Sequence, residues 1–297
     1  MRSFRRLILA FLLGAGVATV NPAARVMAAA DPAEQTQKPT LKPVSATAPD
    51  IPFNYEAQAE NELLQLANSA RHQAGAPTLT LDPGLSQAAR VHAQAMLEAH
   101  QLSHQFNGEA SLPQRLAATT ELQLDQEGEN VAVDYTAHDG HEHLMLSPPH
   151  RANLLNPAYN VIGLGVVHGG DRLYIVQDFG HALPSYSSTE WKDRIAVAVN
   201  QTRHQASQPD LQRHDLTIAD EAACSMAQAD KLGTASVHKL AERFTVLSYT
   251  SLHPETLPNG AARAISDRNL HNFSVGTCYA HTNTYPTGVY WVVLTLE

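Results

Sequence analysis

Residues 138 to 157, HDGHEHLMLSPPHRANLLNP, set four histidines and a glutamate within thirteen positions, a density that raises the question of a metal site. His141, Glu142 and His143 do not have the H-E-x-x-H spacing that puts two imidazoles on one helical face. His138, His141 and His143 are therefore expected on a loop and an exposed first helical turn. His150 differs: Pro148 and Pro149 fix the chain before it and a helix-competent RANLL follows, so the backbone sets its direction. Two more positions carry chemistry: His104 in LSHQF, and Glu129 in EGENVAV, a Gly-bounded turn before an apolar run. A G-x-S-x-G nucleophile and a glycine-rich phosphate loop are both absent from the sequence, which argues against serine hydrolysis and nucleotide chemistry.

The elements that must position these residues are legible. Residues 56 to 75 show helical spacing at Leu63, Leu66, Ala67 and Ala70, and Gly75 closes the run. In LDPGLSQAARVHAQAMLEAH, Asp82 can cap a second helix, Pro83 suits its first position, and Leu85, Ala89, His92 and Met96 share a face. Residues 161 to 180 are two apolar runs around HGGD, the pattern of a buried hairpin. Helices first and strands later predict an α+β fold.

The second half echoes the first. RHQA at 71–74 recurs at 203–206, AARVHAQA at 88–95 returns as AACSMAQA at 222–229, VIGLGVVH at 161–168 as SVGTCYAH at 274–281, and LYIVQDF at 173–179 as VYWVVLT at 289–295. Four blocks in one order point to an internal duplication. If the copy keeps the topology, Cys224 lies on its second helix and Cys278 on a strand. These are the two cysteines of the chain, and a disulfide between them is expected in an exported protein, with buried free thiols the alternative.

Export is expected from residues 1–30, where Arg2, Arg5 and Arg6 precede an apolar run from Leu7 to Val20 and small residues end at Ala30. That run is interrupted and short for a membrane span, so none is expected once the leader is removed. Residues 31–55 read as a Pro-rich tether. Removing the leader leaves 16 basic against 29 acidic residues, a formal charge of −13 that disfavours nucleic acid and anionic membranes as partners. Two domains are expected over the rest, 56–183 and 186–297.

The order SH at 103–104, GENVA at 128–132, SPPHRANLLNPAYNVIGLGV at 147–166 and YIVQDFG at 174–180 resembles the bacterial branch of the CAP superfamily: the cysteine-rich secretory, antigen 5 and pathogenesis-related proteins, or SCP domains. The resemblance implies a three-layer α-β-α sandwich over 56–183, followed by a second, reduced CAP-like repeat. It implies a cleft lined by His104, Glu129 and His150. The second acid of many family members would fall at Ser147, leaving one carboxylate. Imidazoles of His104 and His150 in such a cleft could take a divalent ion, most readily zinc; a hydrogen-bonded polar cluster without metal is the alternative. Asn68, Arg71, Asn130, Arg151 and Asn153 match the family pattern as scaffold. The second half has none of the cleft motifs, and its His238, His253, His271 and His281 have no ligand-like spacing, so a packing or partner-binding surface is expected there.

Three functions remain in play. The first is a secreted or periplasmic, non-catalytic protein binding a small ligand, peptide, envelope component or divalent metal in the cleft. The second is a metal-dependent hydrolase of peptide or cell-envelope substrates with Glu129 as general base. The third is a structural envelope module that only binds partners.

Overall fold

The computed structural model describes residues 55–297 and the backbone of Ala18–Thr19; the expected leader and tether otherwise lie outside the described residues. The chain divides at Tyr186 into two compact units.

In the first unit, α1 (Ala57–Gln73) and α2 (Pro83–Ala99) flank the two-residue strand β2 (Thr80–Leu81). Asp82 caps α2 as its sequence predicts, its Oδ1 accepting from the Leu85 N–H at 2.7 Å. After α3 (Leu112–Ala117) come β3 (Leu124–Asp134), α4 (Ala137–Leu146), α5 (Pro148–Leu154) and the hairpin of β4 (Val161–Gly169) and β5 (Arg172–Ala182). The sheet order is β2-β4-β5-β3, with β2 parallel to β4 and the other pairs antiparallel.

Strand alternation splits the core into two layers. Ile162, Leu164, Ile175 and Phe179 join Leu63, Ala67, Leu144 and Leu154 of α1, α4 and α5 on one face. Val131, Val167 and Val176 meet Ala89, Ala93 and Met96 of α2 on the other. The result is the expected three-layer α-β-α sandwich. Gly163 and Gly165 let α2 lie against the sheet backbone to backbone: a Cβ on either would collide with the carbonyl carbon of Leu85 or Ala89.

The second unit repeats this plan. Its elements are α6 (Ser188–Gln205), β6 (Gln212–Arg213), α7 (Thr217–Ala229), α8 (Ala235–Ala241), β7 (Thr245–Ser251), α9 (Ala261–Ile265), β8 (Asn272–Ala280) and β9 (Val289–Leu296). The sheet runs β7-β9-β8-β6, the order of the first, with β1 (Ala18–Thr19) antiparallel beside β7. Gly276 presses on α7 as Gly163 does on α2, and a methyl group there would collide with the Ala219 carbonyl. A counterpart of α4 is missing among the described residues: residues 252–260 run from β7 to α9 without a helix. The copy is thus reduced, as the sequence implies.

Cys224 on α7 and Cys278 on β8 are joined as a disulfide, stapling helix to sheet. The repeat alignment sets these two positions against Arg90 and Gly165, where the backbone nitrogen of Arg90 already occupies the space a Gly165 Cβ would need. The close approach that glycine permits in one unit is bridged by sulfur in the other.

Candidate functional site

Glu129 is buried on β3, opposite Asp178 of β5, and the two lie on the sheet face that α2 covers. Its Oε1 accepts from Nδ1 of His104 at 2.8 Å, and its Oε2 accepts from Nη2 of Arg115. The carboxylate therefore fixes the hydrogen of His104 on Nδ1 and leaves Nε2 as the outward nitrogen. His104 itself is exposed, with 59% of its side-chain surface open to solvent.

Arg115 is presented by α3, a short helix started by a capping box in which the backbone N–H of Ser111 donates to Gln114 Oε1. Its Nη1 also donates to the His104 and Ala110 carbonyls, at 3.3 and 3.2 Å. His92 of α2 is fully buried, with Nδ1 2.6 Å from Glu109 Oε1 and Nε2 2.9 Å from the Ser103 carbonyl. Glu109 Oε2 accepts from the Phe106 N–H at 2.8 Å. Residues 103–109 are thus pinned from three sides, and His104 is held in place by its own neighbours as well as by Glu129.

His150 enters from the first turn of α5. Its carbonyl accepts from Asn130 Nδ2 at 3.0 Å, and Asn153 Nδ2 donates to the Glu129 carbonyl and Asn130 Oδ1, both at 3.1 Å. Partial burial, with the nearby His104 charge adding to it, holds the His150 imidazole below its ordinary pKa and favours its neutral form. The structure so bonds His104 to Glu129, and it ties the backbone of His150 to that of Glu129 through Asn130 and Asn153. Ser147 sits at the junction of α4 and α5, partly buried, and its hydroxyl makes no cap bond.

The structure corrects the expectation for the other histidines of that stretch. His138, His141 and His143 lie on α4, not on a loop, because the Thr136 hydroxyl caps that helix by accepting from the Asp139 N–H at 3.0 Å. His141 faces inward and is buried, whereas His143 is exposed and its Nδ1 donates to Asp134 Oδ2 at 2.6 Å.

Among the described residues no three His, Cys, Asp or Glu side chains stand together as a metal would need. Both Glu129 oxygens already hold donors, and one of these is a guanidinium whose charge opposes a cation. His104 and His150 offer two imidazoles, short of the three or four protein ligands of a resident zinc. The residues do not fit such an ion.

Sequence reasoning missed Arg115, Glu109 and Asp178. Nothing in LPQRL marks Arg115 as more than a helix surface residue. Asp178 did carry a signal, a carboxylic acid inside the otherwise buried run YIVQDF.

The Cysteine-rich secretory protein family (CAP) profile matches residues 64–179. The protein YkwD of Bacillus subtilis (strain 168) is 30% identical over 155 residues, 51% of this chain and 60% of that protein, so the chain spans about three fifths of that relative's length. Among solved structures, an extracellular protein containing an SCP domain from Bacillus anthracis is 25% identical, with 42% of this chain and 41% of that chain covered and a TM-score of 0.39. Na-ASP-1 is 8% identical, with 82% and 90% covered and a TM-score of 0.46. Residues 64–179, within the first unit, are thus similar to the cysteine-rich secretory protein family.

Proposed function

We propose that the first unit is an exported, non-catalytic binding module. A ligand with hydrogen-bonding groups, such as a peptide or envelope component, seats against the imidazoles of His104 and His150. The observation that carries this reading is the pairing of an exposed His104 with a buried Glu129 whose two oxygens are already engaged. A general base must reach a substrate proton or water, and Glu129 is buried behind His104 with each oxygen already bonded to a protein donor. What remains is the solvent-facing His104 ring, held by Glu129, with a half-buried His150 on the nearby helix turn, a recognition surface that costs little ordering to use. Export rests on the leader-like residues 1–30 and on the Cys224–Cys278 disulfide, a bond that persists in oxidising compartments.

The test is titration of the protein with soluble peptidoglycan fragments and, separately, with a mixed hexapeptide pool, following the ring signals of His104 and His150 by NMR. Saturable shifts at both rings, lost in His104→Ala/His150→Ala, are expected; rings unmoved by either probe would refute the reading. Zinc calorimetry on the same two proteins tests the metal reading, and binding abolished in the double variant would restore it. Turnover of either probe that disappears in Glu129→Gln would replace the binding module by a hydrolase.

A further inference from the structure

Asp178 is completely buried, and among the described residues no N–H or O–H group donates to either of its oxygens. An ionised carboxylate in that position has lost its water and has no hydrogen bond to replace it, a cost of several kcal/mol by general estimates. Strand register sets Asp178 directly opposite Glu129 on β3 and Gly163 on β4. Side chains so placed stand with Cβ atoms roughly 4.5–5.5 Å apart.

The groups around it are few. Arg115, from α3, gives Nη2 to Glu129, and its charge pulls the Asp178 carboxyl the other way, but its Nε–H makes no bond to Asp178 or to any other acceptor among the described residues. Glu109, from the segment before α3, and His92, from α2, are bonded to each other. Gly163, on β4, has no side chain. The polar group left for Asp178 is the Glu129 carboxylate, an acceptor. Two carboxyl groups in contact are satisfied when one proton lies between them. Burial, reinforced by the charge of Glu129, pushes the Asp178 carboxyl well above the usual carboxylate range.

We propose that Asp178 and Glu129 form one proton-sharing carboxyl pair, with Asp178 the neutral acid, and that Asp178 is the positioning residue that locks Glu129 behind His104. Glu129 then accepts from three donors: the His104 ring, the Arg115 guanidinium and the Asp178 hydroxyl. The second acid of this cleft comes from β5, and not from the place that Ser147 holds.

The second unit supplies an independent observation. With Gly276 standing for Gly163, the register there puts Val293 in the place of Asp178 and Ser248 in the place of Glu129. The copy that lacks one acid lacks both, as expected of a pair in which each needs the other. The pair stands whatever the cleft binds.

The test compares the protein with Asp178→Asn, which keeps a neutral donor of the same shape, and Asp178→Val. Infrared spectra at pH 7 are expected to show a protonated-carboxyl stretch in the unmodified protein that is missing from Asp178→Asn. Unfolding must also release the Asp178 proton. The folding equilibrium constant of the unmodified protein should therefore fall, relative to Asp178→Asn, by up to tenfold per pH unit as pH rises above about 4. The downfield Nδ1 proton of His104 should persist in Asp178→Asn and shift or exchange faster in Asp178→Val. No protonated carboxyl at pH 7, or parallel pH curves for the unmodified protein and Asp178→Asn, would overturn the proposal even if the valine variant does not fold.

Discussion

Arg71 and Arg203 hold the same place in two copies of one fold. Arg71 is fully buried and donates to the carbonyls of Pro77 at 2.6 Å, Leu154 at 2.8 Å, and Asn156 and Tyr159 at 2.9 Å. Arg203 donates to Pro209 at 2.5 Å, Ile265 at 2.7 Å and Asp267 at 2.9 Å. One turn earlier, Asn68 brackets the backbone of Leu79 and Asn200 that of Leu211. In each unit one arginine ties the first helix, the segment leading into the next strand and the end of the helix before the hairpin into one body.

Arg71→Met leaves up to four carbonyls without their charged donor, and an expected loss of about 3–4 kcal/mol follows from the size of such bonds. Arg71→Lys should recover little, since one ammonium cannot span the positions a guanidinium fork reaches. Urea midpoints by far-UV circular dichroism check the first unit. Both tryptophans, Trp191 and Trp291, lie in the second, so tryptophan fluorescence reads Arg203→Met there. Unchanged midpoints would show that the carbonyls find other partners.

The disulfide closes a separation of 54 residues within the second unit. The chain-entropy estimate for such a loop is about 4 kcal/mol. Replacing Cys224 and Cys278 by alanine should lower the fluorescence-detected urea midpoint accordingly. Cys278 lies opposite Trp291 in the strand register, so loss of the neighbouring sulfur bridge should also brighten the folded-state emission. A midpoint unmoved by the double substitution would mean that α7 is held to the sheet by its alanine face alone.

The scaffold was legible in the sequence because its signals are local or periodic. Asp82 before Pro83 marks a helix start, and the repeated R-H-Q-A and G-containing strand blocks mark the duplication and with it the disulfide. The motif order pointed to His104 and Glu129, which the structure joins by a hydrogen bond. What stayed hidden depends on strand register and loop packing: that Arg115 neutralises Glu129, and that Asp178 stands opposite it, are relations across 14 and 49 positions of sequence with no shared pattern. The inward turn of His141 was lost for a related reason. Its exposed neighbours dominate the polar look of HDGHEH, and only the register of α4 against Ile175, beside Gly140, decides which histidine faces the core.

His141 makes the stability of the first unit sensitive to acid. The ring is buried and its Nδ1 has no hydrogen-bond partner among the described residues, and burial, with the charge of His138 adding to it, holds its pKa below the ordinary value of 6.5. The unfolded chain takes up this proton more readily than the folded one, so stability is full above about pH 6.5 and falls as pH drops through that value toward the folded pKa. The Asp178 proton works with the opposite sign, so below about pH 6.5 the slopes of the two groups oppose each other. His141→Leu removes the acid-side slope and buries no unsatisfied nitrogen. It should match or exceed the unmodified protein at pH 7.5 and be clearly more stable at pH 5, by urea unfolding at both values. Curves that stay parallel between pH 5 and 7.5 would show that His141 takes its proton in place, and that α4 opens to let it do so.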